Sequence, residues 1–225
     1  MKTTYYGHAC FELEYGGKSM LFDPFIRPNP LAASIDVSSL SPDFLFLSHG
    51  HEDHVADAVE IALQSQAQCV SIYEIHAWLT SQGVSNSHPM NVGGMWSFGD
   101  VNVNMVPALH SSSLPNGQYA GLATGFVLSH PAEPAVYYAG DTALFGDMAL
   151  IGQRQAIDIA LLPIGGNFTM DVRDAIEAAK LLQTTRVIGM HFDTFGYIRI
   201  DQHAAVAQFA QAGINLELFA IGETR

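Results

Sequence analysis
The sequence predicts an α+β fold in which two sheets pack face to face with helices on the outside. Three observations carry this. Strand-like segments come first, strand–helix alternation follows, and that order runs twice along the chain. At 225 residues, 48% of them apolar and 14% charged, the chain can bury a sizeable core without staples. No short repeat and no long linker divides it, so residues 1–225 read as a single domain.

The elements follow in order. Phe11, Leu13 and Tyr15 alternate with Glu12 and Glu14, the period of a half-buried strand. Gly16-Gly17 reads as a tight hairpin turn, and Ser19 to Phe22 as the return strand, closed by Asp23-Pro24. A Pro- and Ser-rich loop runs from Arg27 to Pro42, and the continuous apolar run Phe44 to Leu47 reads as a buried strand. Val55, Val59, Ala62 and Leu63 recur at helical spacing and predict a helix over 55–65. A strand over 69–72 and a helix over 73–82, ended by Gly83, come next. Strands are expected near 101–106, 122–128, 135–139 and 157–162, with a helix over 143–152. The last elements are a helix over 172–182 with Asp171 as N-cap, a strand over 186–190, a helix over 201–211 stopped by Gly213, and a strand over 216–221.

Charge narrows the partners. The formal net charge is −13, with only nine Lys plus Arg and no basic run. Nucleic acid and anionic membrane surfaces are therefore not expected partners. Cys10 and Cys69 lack any paired spacing and read as thiols packed in strands. The stretch from Met1 to Tyr6 has no apolar leader-like run, and no segment approaches the roughly 18 apolar residues of a membrane span. A cytoplasmic location is the default expectation, and general frequency leaves a homo-oligomer open.

The informative segment is Ser48-His49-Gly50-His51-Glu52-Asp53-His54. It follows an apolar strand and precedes a helix, so three imidazoles and two carboxylates crowd one strand-to-helix turn. These donors suit Zn, Mn, Fe or Ni. Gly50 permits the close bend. One turn cannot fill two coordination spheres, and further candidates sit just after other apolar strands: His110, Asp141 and His191.

This pattern resembles the metallo-β-lactamase superfamily. Its HxHxDH motif is matched by His49, His51, Asp53 and His54, followed in order by His110, Gly140-Asp141-Thr142 and His191. A narrower likeness, to the small UlaG-like hydrolases of the UPF0173 type, rests on Gly7-His8-Ala9-Cys10-Phe11, Met90-Asn91-Val92-Gly93-Gly94, His110-Ser111-Ser112 and Leu162-Pro163-Ile164-Gly165. Phe168-Thr169-Met170 and His191-Phe192-Asp193-Thr194-Phe195 belong to the same pattern. The resemblance implies a four-layer αββα sandwich with the site at one edge of the two sheets. It implies one metal held by His49, His51 and His110, a second held by Asp53, His54 and His191, and Asp141 bridging both. Phe192 stands where a Tyr is common in relatives, which removes a hydroxyl contact, and Asp171 stands where a Gly is frequent.

The implied cofactors are two divalent ions, zinc first, with Mn, Ni or Fe also compatible. Ions about 3.5–4 Å apart can share a hydroxide and polarise a carbonyl or phosphoryl centre. Asp53 and Asp141 would be the catalytic carboxylates, orienting the hydroxide and collecting its proton. The expected reaction is hydrolysis of a small ester, lactone or phosphoester. A nuclease or phosphodiesterase of the same superfamily is the alternative, opposed by the charge and the lack of a basic arm. A non-catalytic metal-binding protein is opposed by the complete ligand set, and di-iron oxygen or nitric oxide chemistry by the absence of a flavin domain.

Other residues carry simpler readings. His8 is either a turn histidine satisfied by backbone or a residue facing the metal cavity, where it binds substrate, donates a proton or stands behind the ligands. Glu52 is expected to face water. His76, His88, His130 and His203 read as surface or packing residues. Ser111 to Ser113 are expected to bond locally, Gly165-Gly166-Asn167 to form a turn, and Tyr137, Tyr138, Phe195 and Tyr197 to be core or rim.

Overall fold
In the computed structural model, which describes residues 1–225, strand β1 (Lys2–Gly7) pairs antiparallel with β2 (Cys10–Tyr15). Phe11, Leu13 and Tyr15 of β2 are fully buried while Glu14 is exposed, as the alternation requires. The chain turns at Gly16 and Gly17 and returns as β3 (Lys18–Phe22). From there the pairing becomes parallel: β4 (Phe44–Leu47), short helices α1 (Glu52–Val55) and α2 (Ala58–Ser65), β5 (Gln68–Ile72), α3 (Tyr73–Ser81) and β6 (Ser87–Met90). The first sheet has the order β1-β2-β3-β4-β5-β6.

The second sheet repeats this plan. Strands β7 (Met95–Phe98), β8 (Val101–Pro107), β9 (Thr124–His130) and β10 (Glu133–Tyr138) pair antiparallel. After helix α4 (Met148–Arg154) come the parallel β11 (Ile159–Pro163), helix α5 (Val172–Leu182), β12 (Arg186–Met190), helix α6 (Gln202–Gln211) and β13 (Asn215–Glu217). Helix α3 packs on β5 and β6, α5 on β11 and α6 on β13. The inner faces meet through aromatic rings: Phe22–Tyr138 at 4.7 Å, Phe46–Phe126 at 5.2 Å and Phe22–Phe126 at 6.3 Å between centroids. The four-layer αββα sandwich is therefore the fold. Cys10 and Cys69 are buried free thiols in β2 and β5.

Several elements differ from expectation for identifiable reasons. The helix over 55–65 is two helices, because Asp57 turns aside to accept from the Ile26 (2.6 Å) and Arg27 (3.0 Å) amides. The helix over 143–152 begins only at Met148. Residues 143–147 instead tie to the loop after β8, with the Ala143 amide donating to the Leu109 carbonyl at 3.1 Å. The strand over 216–221 ends at Glu217, after which the chain leaves β12 and meets the N-terminus, the Gly222 amide donating to the Tyr5 carbonyl at 2.7 Å. Strands β9 and β10 sit about two residues away from the segments expected. Edge strands β1, β6 and β7 gave no sequence signal. Strand β6 carries Pro89 and β7 has three exposed residues in four, as edges tolerate.

Candidate metal centre
The carboxyl ends of β3, β4, β8, β10 and β12 converge at one edge of the sandwich, the place where α/β sheets present ligand-binding loops. Two cross-links hold this edge. The Thr124 amide and hydroxyl both donate to the Ser48 carbonyl, at 2.9 and 2.8 Å, joining the sheets. The His191 amide donates to the His8 carbonyl at 2.8 Å. His8, Asp23, His191 and Asp193 all take positive φ there, a concentration of uncommon backbone typical of functional sites.

Glycines admit the close approach. Gly50 is not at positive φ; its role is space, since a Cβ would lie 2.4 Å from that of Ala120. Gly140, before Asp141, has φ +60, and a Cβ would sit 2.8 Å from the Thr124 carbonyl and from Ser48.

All seven residues expected as ligands meet here, in two groups. His49, His51 and His110 gather on one side, and Asp53, His54 and His191 on the other, joined there by His8. Asp141 stands between them. Its Oδ2 lies 3.0 Å from His191 Nε2, 3.3 Å from His54 Nε2, 3.6 Å from His110 Nε2 and 4.0 Å from His49 Nε2.

Asp23 orients both groups. Its Oδ2 accepts from His54 Nδ1 (2.8 Å), Ser48 Oγ (2.5 Å) and Tyr138 OH (2.8 Å), and its Oδ1 accepts from the Ser48 amide (2.8 Å). His54 therefore presents Nε2 to the cluster. Ser48 spends its proton on Asp23, so His49 Nδ1, 3.0 Å away, must donate to Ser48 Oγ. That leaves the lone pair of His49 Nε2 facing His51 Nδ1 at 3.0 Å. In the sequence Asp23 marks only the close of a strand. Its signal is a carboxylate just after an apolar strand, one register position short of Ser48 on the neighbouring one.

His8 is not satisfied by backbone. Its buried ring bonds two side chains, Nε2 to Asp53 Oδ2 and Nδ1 to Thr194 Oγ1, each at 3.0 Å. Burial, with help from His191, lowers its pKa to about 4, so the neutral ring donates to Asp53 and accepts from Thr194. Glu52 is exposed, as expected, at the rim of the cavity. Ser112 Oγ accepts from the Gly50 amide at 3.1 Å, and Gly166-Asn167 form a turn at positive φ. Tyr137 and Tyr138 are core, but Phe195 lines the cavity beside the cluster.

The charge distribution is uneven. Burial alone would pull His191 down, yet the neighbouring Asp141 and Asp53 carboxylates outweigh it and lift its pKa to about 9. His54 is raised in the same way, against burial, by Asp141, Asp53 and Asp23. Asp141 is held far below the usual carboxylate range by His191 and His54 despite its burial. His49, His51 and His110 are lowered, mainly by burial, and present neutral rings. This donor set fits divalent metal. Asp141 Oδ1, His54 Nε2 and both ring nitrogens of His191 are buried without a hydrogen-bond partner, which a fold of only protein atoms would not leave at one spot. A cavity of about 950 Å³ opens over the cluster, bounded by His51, Asp53, His110, Asp141 and His191 below and by aromatic side chains above.

Comparison with known proteins agrees with this geometry. The model of the β-lactamase superfamily domain matches residues 19–192, a span that contains all seven clustered residues. A UPF0173 metal-dependent hydrolase of Methylacidiphilum infernorum is 50% identical over 224 residues, covering 100% of this chain and 99% of its own. The chain belongs to the UPF0173 metal-dependent hydrolases. A second member, from Flavobacterium johnsoniae, is 48% identical over the same coverage. Among solved structures, Igni18, a metallo hydrolase from the archaeon Ignicoccus hospitalis, superposes with a TM-score of 0.89 at 36% identity, covering 100% of this chain and 97% of that one. The UPF0173 members, and with them this chain, are metal-dependent hydrolases of the metallo-β-lactamase fold. No helix in the structure is long and apolar enough to cross a membrane.

Proposed function
We propose that the chain is a dinuclear hydrolase acting, as one domain of residues 1–225, on a small ester, lactone or phosphoester. His49, His51 and His110 hold one divalent ion, and Asp53, His54 and His191 the other, with Asp141 serving both. Zinc is the first choice for imidazole and carboxylate donors, and Mn, Ni and Fe are compatible. When bound, the ions supply a nucleophilic water and an electrophile at neutral pH.

The observation that carries this reading is the position of Asp141 Oδ2, within 4.0 Å of imidazoles from both groups. The protein's own residues do the rest. Asp23 fixes His54, and through Ser48 it fixes His49, so that both rings turn Nε2 inward. His8 donates to Asp53 Oδ2 and holds that carboxylate at the floor of the cavity, where it can take the proton released as water attacks. Burial of Asp141, His49 and His191 excludes bulk water from behind the reacting centre.

The test is reconstitution. Protein stripped with chelator is reloaded with Zn, Mn, Ni or Fe and assayed on aryl esters, lactones and bis(4-nitrophenyl) phosphate. Turnover of at least one class should vanish with the metal and return with it. Equal turnover by stripped and reloaded protein would end the proposal.

A further inference from the structure
The cavity over the cluster has two unlike surfaces. Its floor is polar, and its walls are aromatic. Phe25 and Phe195 lie 6.2 Å apart beside His8, whose ring is 5.5 and 5.3 Å from theirs. Nearer the mouth, Phe168 and Tyr197 meet edge to face at 6.2 Å and are 50% and 79% exposed. Neither Lys nor Arg lines the cavity. The cation closest in sequence to its Pro28 rim, Arg27, is engaged by both carboxylate oxygens of Glu60.

We infer that this cavity selects a neutral electrophile bearing a flat apolar group, such as an aryl-substituted ester or lactone, and discriminates against phosphodiesters and other anions. The inference rests on the hydrolase reading and narrows its substrate. Anionic groups are held by forked guanidinium or ammonium donors, and the cavity offers none. Asp53, Asp141 and Glu52 already offset most of the charge that two divalent ions bring. The formal net charge of −13 adds a field that slows approach of any anion. In contrast, Phe168 and Tyr197 hold apolar surface in water that a bound ring would cover. The reaction balances as ester plus water. Water's oxygen bonds the carbonyl carbon, the acyl–oxygen bond breaks, one of water's protons ends on the leaving oxygen and the other leaves with the new carboxylic acid, and no redox partner is needed.

Two measurements test this together. Metal-loaded protein is assayed with 4-nitrophenyl phenylacetate, 4-nitrophenyl acetate and bis(4-nitrophenyl) phosphate. Metal-free protein is titrated by calorimetry with phenylacetamide, acetamide and phenyl phosphate. The expected kcat/KM is about tenfold higher for phenylacetate than acetate. Phe195→Ala should shrink that ratio to about threefold or less. Phenylacetamide should bind metal-free protein at least about tenfold more tightly than acetamide or phenyl phosphate. Phosphodiester turnover equal to that of the phenylacetate, or equal binding of phenyl phosphate, would overturn the inference. Selective phenylacetamide binding without turnover of any probe would uphold the pocket assignment and count against the proposed ester, lactone and phosphoester substrates instead.

Discussion

Replacing Asp23 by Asn isolates the residue on which both halves of the cluster depend. The carboxylate accepts four hydrogen bonds: from His54 Nδ1, the Ser48 hydroxyl, the Ser48 amide and Tyr138 OH. An Asn oxygen can keep at most two of these, and its amide group turns a donor toward donors. A hydrogen bond to a buried charge contributes about 1.5–3 kcal/mol net, so two losses cost about 3–6 kcal/mol. Relief of the carboxylate's own desolvation offsets part of that, leaving about 2–4 kcal/mol. For a chain of this size the melting temperature should fall on the order of 10 °C. Metal affinity should fall about 10–100-fold, because His54 and His49 lose their fixed orientation. Competition against a fluorescent chelator measures the affinity, and a thermal melt of the metal-free protein measures the stability. Tyr138→Phe, which removes one donor of the four, should cost about 1 kcal/mol and leave metal affinity within about threefold. If Asp23→Asn bound metal as tightly as the parent, the orienting role would be refuted, whatever the melt showed.

Three further outcomes follow. His191 has a folded pKa of about 9 against an ordinary 6.5, so in metal-free protein it stabilises the fold fully below about pH 6.5, and that contribution is lost as pH rises to about 9. The metal-free melting temperature should therefore fall across that window, His191→Asn should flatten the slope, and metal uptake near neutral pH should release protons measurable by calorimetry in two buffers; a flat profile in the parent would contradict the ion cluster. His8→Gln breaks the paired contacts to Asp53 and Thr194 and should lower kcat about 10–100-fold with metal content unchanged, which elemental analysis beside steady-state kinetics checks. Gly140→Ala places a Cβ at positive φ against the Thr124 carbonyl and Ser48 and should cost about 2–4 kcal/mol in a denaturant melt, whereas Gly146→Ala, with nothing within 4 Å, should stay within about 0.5 kcal/mol.

What the sequence shows and what it hides divides along physical lines. Strands buried on both sides, such as Phe44–Leu47 and Ile159–Pro163, announce themselves as apolar runs, and the amphipathic helix after Asp171 announces its cap. The edge strands Ser87–Met90 and Met95–Phe98 do not, because their stability comes from one neighbour and not from a buried face. The clustered residues are legible because each follows a buried strand, and strand ends of one sandwich edge must meet. Asp23 meets the same condition, yet next to Pro24 it looks like a strand terminator. Its value depends on Ser48, His54 and Tyr138, which are up to 115 positions away. The two roles of Asp57 and of residues 143–147, which tie loops instead of continuing helices, likewise depend on partners that periodicity cannot register. The aromatic walls of the cavity are scattered in sequence at Phe25, Phe168 and Phe195, and only the fold brings them to the same opening.

The dinuclear reading stands or falls on metal stoichiometry. Protein purified without chelator, reconstituted and freed of loose ions, should carry about two transition metals per chain by elemental analysis, and Asp141→Ala should carry about one or fewer. A chain that held no metal after reconstitution with Zn, Mn, Ni and Fe, or an Asp141→Ala variant that kept the parent's full complement and activity, would contradict it.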